Sequence, residues 1–327
     1  MPIRRRALPA LALAAGLPGG LAAQPDPAAD FPNRPIRMVV PYPPGGGNDL
    51  LARAIKAPLE LRWGQPIVIE NRPGANGTVA TEAIAKGPAD GYSLLMGSTA
   101  THAINPALYR RIGYHPLRDF APVALVGSTP LILTVHPSVP ASTVEEFVAL
   151  AKLRPGDISF ASVGNGSVGH LAGQLFQNAA GIELLHVPYR GIAQASTELL
   201  AGLVKSAFSN VVNVLPFIRD GKLRAIAVTT TARSPVLPEV PTIAASLPGF
   251  DVPLWWGVFA PARSPASVVA KLNGGIRQVL QDAQLQARWA GEAITLTPGA
   301  PEDFARVLAA DIPRWAEAVR SSGAEVN

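Results

Sequence analysis

One nine-residue stretch constrains this chain more than any other. Pro41-Tyr42-Pro43-Pro44-Gly45-Gly46-Gly47-Asn48-Asp49 follows the apolar run at residues 36–40 and precedes a helix-periodic segment at 50–61. It reads as strand, glycine loop and helix start, an α/β unit with its loop at the carboxyl end of the strand. The consecutive glycines leave backbone N–H groups unshielded, and a helix N-terminus adds partial positive charge. Such a loop suits an anion, above all a carboxylate or phosphate. No Lys-Ser or Lys-Thr pair follows the glycines, so it is not a nucleotide P-loop. The loop offers binding and brings no obvious chemistry. Asp49 is expected to cap the helix.

The rest of the chain repeats this alternation. Apolar runs at 66–70, 93–97, 123–126, 131–135, 157–162, 184–188, 206–208, 223–228 and 254–259 predict strands. Helical patterns occupy 49–62, 78–86, 143–153, 167–180, 194–201, 211–219, 265–282, 283–290 and 301–320. The alternation predicts a parallel α/β architecture with ligands at the carboxyl ends of strands. Pro58 and Pro313 should kink or shorten their helices. The proline-rich stretch 230–253 reads as a surface excursion. The middle carries its own strand–helix set and a second glycine loop, and so reads as an inserted domain. Residues 30–126 with 249–327 then form domain 1 and residues 127–248 form domain 2, their glycine loops facing each other across a cleft.

The N-terminus reads as an export signal over residues 1–23: basic Arg4, Arg5 and Arg6, a short apolar core, then small residues before cleavage. The apolar core is shorter than the roughly 20 residues a membrane helix needs. The signal also accounts for much of the charge. The chain is formally +5, and without those three arginines 25 basic residues face 23 acidic ones. The mature part has no basic block with interleaved aromatics, so nucleic acid is not an expected partner. A length of 327 residues, 48% of them hydrophobic, suits two domains with sizeable cores. The absence of Cys excludes Cys-ligated metals and a thiol nucleophile.

The second loop is Ser162-Val163-Gly164-Asn165-Gly166-Ser167-Val168-Gly169-His170. It contains a formal G-x-G-x-x-G, but Glu183 lies at the wrong end of the next strand for a ribose partner. A carboxylate-binding loop, with Ser167 as hydroxyl donor and helix N-cap, is the preferred reading; a purely structural cap is the alternative. Tyr189 and Gly191 end the strand that follows. Tyr189 either lines a cleft or packs in a core, and Arg190 is read as a solvated surface charge. Asn76 lies in another polar glycine loop, residues 71–78, where Thr78 and Thr81 either donate to a ligand or cap the helix. Ser98 and Thr99 close the third strand at the same edge. Five scattered histidines form no metal pattern, and each reads as structural; His170 is placed to orient the second loop. No G-x-S-x-G elbow and no carboxylate pair mark an enzyme. Trp255-Trp256 reads as inter-domain packing or a stacking wall.

Taken together these motifs resemble the tripartite tricarboxylate transporter receptors, the Bug-type or TctC periplasmic binding proteins. The pieces that carry the resemblance are PYPPGGGND at 41–49, ENRPGANGT at 70–78, PADGYSLLMGS at 88–98, SVGNGSVGHLAG at 162–173, HVPYRG at 186–191 and WWGVFAPA at 255–262. The resemblance implies a two-domain periplasmic-binding-protein fold of type II, a Venus flytrap, each domain a mixed sheet flanked by helices. It implies a monomeric receptor in the periplasm that closes on a small carboxylate and delivers it to membrane transporter subunits, with no cofactor, no metal and no catalytic residue. The carboxylate would be held by backbone N–H groups, hydroxyls and waters. That role falls on Tyr42, Pro43, Gly45, Gly46 and Gly47 in one lobe and Ser162, Gly164, Ser167 and Tyr189 in the other. The loop reading adds Asn76, Ser98, Thr99, Gly191 and Asn210. Lys205 and Ser209-Asn210 depart from acidic residues frequent in the family, which points to a ligand without an amino group. An exported hydrolase using Ser167, and a receptor serving signalling, are the competing readings.

Overall fold

The structure, a computed structural model, describes residues 26–326; the expected export signal at 1–23 lies outside the described residues. β1 (Ile36–Val40) buries Ile36, Met38, Val39 and Val40, as a strand covered on both faces must. After α1 (Gly47–Trp63), β2 (Ile67–Asn71) pairs parallel to β1. α2 (Thr78–Ala85) leads to β3 (Ser93–Ser98), parallel to β1 on its other side. A π-helical turn at Ala100–Ile104 runs into α3 (Asn105–Leu108). α1 passes through Pro58 without being shortened.

β4 (Phe120–Val135) is one 16-residue strand where the sequence suggests two. Gly127-Ser128-Thr129-Pro130 reads as a break. In the fold, register shifts between Pro122 and Ala124 and between Leu125 and Gly127 absorb it. Pro130 is tolerated because the ladder changes partners there: β4 pairs with β9 up to Pro130 and with β7 and β8 from Leu131 or Ile132 onward.

The second half follows the expected alternation: α4 (Val144–Leu153), β5 (Ser159–Ser162), α5 (Val168–Ala180), β6 (Leu185–Pro188), α6 (Ile192–Leu200), β7 (Ser206–Asn210), α7 (Val211–Arg219) and β8 (Arg224–Val228). β5 is parallel to both β6 and β7. β9 (Pro253–Pro261) then returns between β3 and β4, antiparallel to each. α8 (Ala266–Leu280), α9 (Ala283–Gly291), β10 (Thr295–Leu296) and α10 (Pro301–Ser322) complete the chain. The strand order is β2-β1-β3-β9-β4-β7-β5-β6, with β8 and β10 also on β4. The sheet is therefore mixed, as the family resemblance implies, with parallel pairs within each half and antiparallel pairs where β4 and β9 cross. β4 carries the chain out of the first half and β9 carries it back, so these crossing strands oppose each other.

Residues 230–253 are not a loose excursion. Leu237, Val240, Ile243, Phe250 and Val252 are buried, and the Val228 N–H donates to Pro241 O at 2.9 Å. The prolines punctuate the segment, and the apolar residues between them anchor it. α10 also runs through its proline, Pro313. It touches both halves: Asp311 accepts from Trp255 Nε1 at 2.6 Å, and Ser321 Oγ accepts from Asn178 Nδ2 on α5 at 2.9 Å.

Candidate functional site

The first glycine loop is held from beneath. α1 starts at Gly47 with Gly46 as N-cap, so Asp49 is not the cap but lies in the first turn. Its buried carboxylate reaches back to accept from Gly45 N–H at 2.9 Å, Arg53 Nε at 2.9 Å and Asn71 Nδ2 at 3.0 Å. Chiefly through the hydrogen bond from Arg53, its pKa is held down at about 2. Gly45 takes the strained conformation, φ +90°, which glycine tolerates and branched residues do not. Gly47 lets the Trp256 indole lie close: a Cβ there would fall 2.6 Å from the ring. Gly46 needs neither allowance; its N-cap φ is −79°, and a Cβ would meet only Pro43 O at 3.9 Å. The three glycines thus do three different jobs.

Beside this loop, Asn48 Nδ2 donates to Met96 O at 2.7 Å and ties α1 to β3. Thr99 Oγ1 accepts from Trp255 N–H at 2.9 Å, leaving its own proton free to donate. Asn76, at φ 51°, donates through Nδ2 to Asn105 Oδ1, and Asn105 Nδ2 returns a bond to Asn76 O, both at 2.9 Å. Tyr42 donates to Asn76 O at 3.3 Å and neighbours Ser98. Desolvation pushes the Tyr42 phenol up to about 12, so it remains a donor throughout the neutral range.

The second loop is braced by histidines. His170 Nδ1 accepts from Gly166 N–H at 3.1 Å, which bears out its expected orienting role. His170 stacks on His186 with ring centroids 3.8 Å apart, and His186 Nε2 lies 2.6 Å from Ser162 Oγ. The Ser162 hydroxyl also accepts from Gly164 N–H at 3.1 Å. Burial lowers both imidazoles, and His170 falls to about 4, with His186 adding a smaller repulsion. Ser167 caps α5 as expected, accepting from His170 N–H at 3.5 Å. The hydrolase reading asks Ser167 for an imidazole partner; the bond it makes is to a backbone amide.

The two loops meet at a cavity of about 480 Å³. Nine of the expected residues line it: Tyr42, Pro43, Gly46, Gly47, Asn76, Ser98, Thr99, Ser167 and Asn210. Ser162 lines a smaller adjoining cavity of about 260 Å³, which also reaches Asn210. Gly45, Gly164, Tyr189 and Gly191 line neither. Gly45 faces Asp49, the Gly164 N–H is bonded to Ser162, Gly191 caps α6, and Tyr189 packs beside the core around Val187 and Ala195. Lys205 sits at the far end of β7 with Nζ bonded to Gly202 O at 2.8 Å, so its departure from the family pattern does not reach the cleft; Ser209 lines the smaller cavity. Sequence reading missed Asn48, Ile104 and Leu254 as lining residues. Asn48 was open to discovery, since it stands inside the glycine motif. The aromatic pair Trp255-Trp256 forms part of the wall. Among the described residues no charged side chain lines either cavity.

A mixed α/β fold whose glycine loops converge on a neutral cleft defines a solute receptor of the periplasmic-binding-protein type, and solved structures agree. An R. palustris protein solved with adipate is 36% identical, with a TM-score of 0.76, covering 91% of this chain and 100% of its own. MatC from Rhodopseudomonas palustris with bound malate is 34% identical at a TM-score of 0.72, covering 88% and 100%. BugT of Bordetella pertussis is 38% identical over 309 residues, 94% of each chain. Residues 51–323 match the model of the tripartite tricarboxylate transporter family receptor, TctC. The chain belongs to that family.

Proposed function

We propose that this protein is a periplasmic receptor that captures a small organic carboxylate between two lobes and delivers it to the membrane subunits of a tripartite transporter. The lobes are residues 30–126 with 249–327, and residues 127–248, linked by β4 and β9. One observation carries the reading. The α1 N-terminus, the Ser98, Thr99 and Ser167 hydroxyls and the Asn76 and Asn210 amides all line one cavity that holds no charged side chain. Hydrogen-bond donors and a helix N-terminus favour an anion, and no lining acid is present to recognise an ammonium group. Two relatives of known structure hold carboxylates, adipate and malate.

The contacts fall on the residues that line the cavity and on Ser162 beside it, while the Gly45 and Gly164 amides, already bonded to Asp49 and Ser162, shape the two loops from behind. The receptor works as a monomer, without cofactor or metal, and turns nothing over. Among the described residues no helix is long and apolar enough to cross a membrane.

The test is a thermal-shift and calorimetric screen of organic acids and amino acids. Ligand at 100 times its Kd adds about 2.7 kcal/mol to the folded state. For a chain of this size that raises Tm by roughly 5–10 °C. The reading fails if no carboxylate shifts Tm, or if an acid is consumed during the assay.

A further inference from the structure

A groove opens at the end of α1 that points away from the cleft. The first residues of α1 line the main cavity; its last turns, from Pro58 to Trp63, lie roughly 17–24 Å further along the helix. There α1 packs on α8, and α9 follows beside them. Two adjoining hollows, of about 760 and 470 Å³, share Pro58, Arg62 and Gln278 and so form one groove.

The floor of this groove is bare where the chain itself does not require it. α8 carries Gly274-Gly275 in mid-helix, a poor place for glycine. Gly275 has a packing reason, because a Cβ there would fall 2.6 Å from Trp63 Nε1. Gly274 has none: a Cβ there would meet no atom within 4 Å. It leaves the α8 backbone open to close approach from outside. One wall is apolar and uncovered, with Leu61 at 89% exposure. The charge is one-sided. Arg62, Lys271 and Arg288 line the groove, and among the described residues none of them forms an ion pair. The one lining acid, Asp282, is occupied as the N-cap of α9, accepting from Leu285 N–H at 2.8 Å.

We propose that this groove docks an acidic amphipathic helix of a partner protein. The helix lies across Gly274, turns carboxylates to Arg62, Lys271 and Arg288, and sets an apolar side chain against Leu61. A glycine floor lets two helix backbones come close, and three free cations favour an acidic partner over a basic one. A flat anionic membrane fits less well, since it would touch Leu61 and the arginines but could not reach a concave floor. The groove lies apart from the cleft, so the proposal does not depend on what the cleft binds, and a partner held there leaves the cleft free.

The test uses a labelled amphipathic peptide of about 18 residues built from Leu, Ala and Glu, long enough to hold a helix. Its Leu, Ala and Lys counterpart is the control. Fluorescence anisotropy should show the acidic peptide binding the full chain and the basic one not, with affinity falling as salt is raised. Gly274→Leu fills the floor and improves the helix propensity of α8, so the protein should fold at least as well and bind the peptide at least tenfold more weakly. The double variant Arg62→Glu with Arg288→Glu should lose at least tenfold as well. Arg154→Glu, exposed and outside the groove, should change nothing. The proposal is overturned if the acidic peptide shows no binding up to about 1 mM, a Kd that corresponds to only weak association. It is equally overturned if Gly274→Leu binds within twofold of wild type. Capture by phosphatidylglycerol vesicles that Gly274→Leu leaves unchanged, with no peptide binding, would assign the basic surface to a membrane instead.

Discussion

The central glycine of the first loop gives the sharpest test of how an anion is held. Gly45→Ala would confound the result with backbone strain at φ +90°, and Gly47→Ala would drive a methyl to 2.6 Å from the Trp256 ring. Gly46 suffers neither problem: its φ is −79° and its nearest obstacle, Pro43 O, is 3.9 Å away. Gly46→Val therefore places a branched side chain at the mouth of α1 without forcing the backbone. Its cost to folding is that of a poor N-cap, about 1 kcal/mol. Its cost to binding is much larger. If the carboxylate takes two backbone N–H bonds at this helix start, each is worth roughly 1.5–3 kcal/mol. Losing both weakens binding about 10²- to 10⁴-fold. Gly46→Ala should fall between wild type and Gly46→Val. Calorimetric titration gives the affinities, and urea unfolding verifies that the apo protein keeps its stability. A Gly46→Val protein that folds normally and binds within threefold of wild type would refute the backbone-amide mechanism.

Further outcomes follow from the same geometry. Arg190→Ala should stay within a few-fold of wild-type affinity, whereas Ser167→Ala should lose about 0.5–3 kcal/mol by titration, the range for a hydrogen bond to a neutral or a charged group. His102, buried beneath β9, has its pKa depressed by desolvation to about 3, and His170 sits at about 4. Between those values and about 6.5 the unfolded chain binds protons that the native chain refuses, so stability falls as pH drops. The loss at pH 5 relative to pH 8 is about 2 kcal/mol per imidazole, and urea melts of His102→Phe should show a correspondingly flatter pH profile. Asp49→Asn should cost roughly 2 kcal/mol at pH 7; the contribution is complete above about pH 4 and lost as pH falls through about 2. Protein recovered from the periplasm should lack residues 1–23 by mass spectrometry; an intact N-terminus there would contradict the export reading.

What the sequence reveals here depends on whether the cause is local. The glycine loops, the Ser167 cap and the start of α7 are set by residues within a turn of each other, and they are found where the motifs place them. The continuity of β4 is not local. Gly127 and Pro130 argue for a break, and β9 and β10, both more than a hundred residues further on, supply the partners that keep the strand extended. Asp49 shows the same limit within one loop. An acid just after glycines reads as a cap, but the helix starts two residues earlier, at Gly47, and the Asp49 carboxylate turns back to the Gly45 amide instead of capping. The burial of Leu237, Val240 and Phe250 among prolines was hidden because proline frequency reports turns and says nothing of what lies beneath them.

The placement of Asp49 raises a physical difficulty whose resolution bears on the whole site. A buried carboxylate within three residues of an anion-binding loop should repel the ligand, by several kcal/mol if the two charges met unscreened. Asp49 does not meet the ligand unscreened. It faces away from the cavity, and Arg53 compensates its charge at 2.9 Å. Its oxygens take up the amide of Gly45 and the side-chain nitrogen of Asn71, donors that would otherwise compete for orientation. The N–H groups of Gly46 and Gly47 are left to the cleft. His170 acts similarly on the second loop, taking the Gly166 amide from behind as a neutral acceptor, which its depressed pKa guarantees at neutral pH. In both loops a side chain outside the cavity uses one amide to aim the others. The cavity can therefore suit an anion without a lining cation, because fixed amides and a helix N-terminus turn the positive ends of their dipoles towards it.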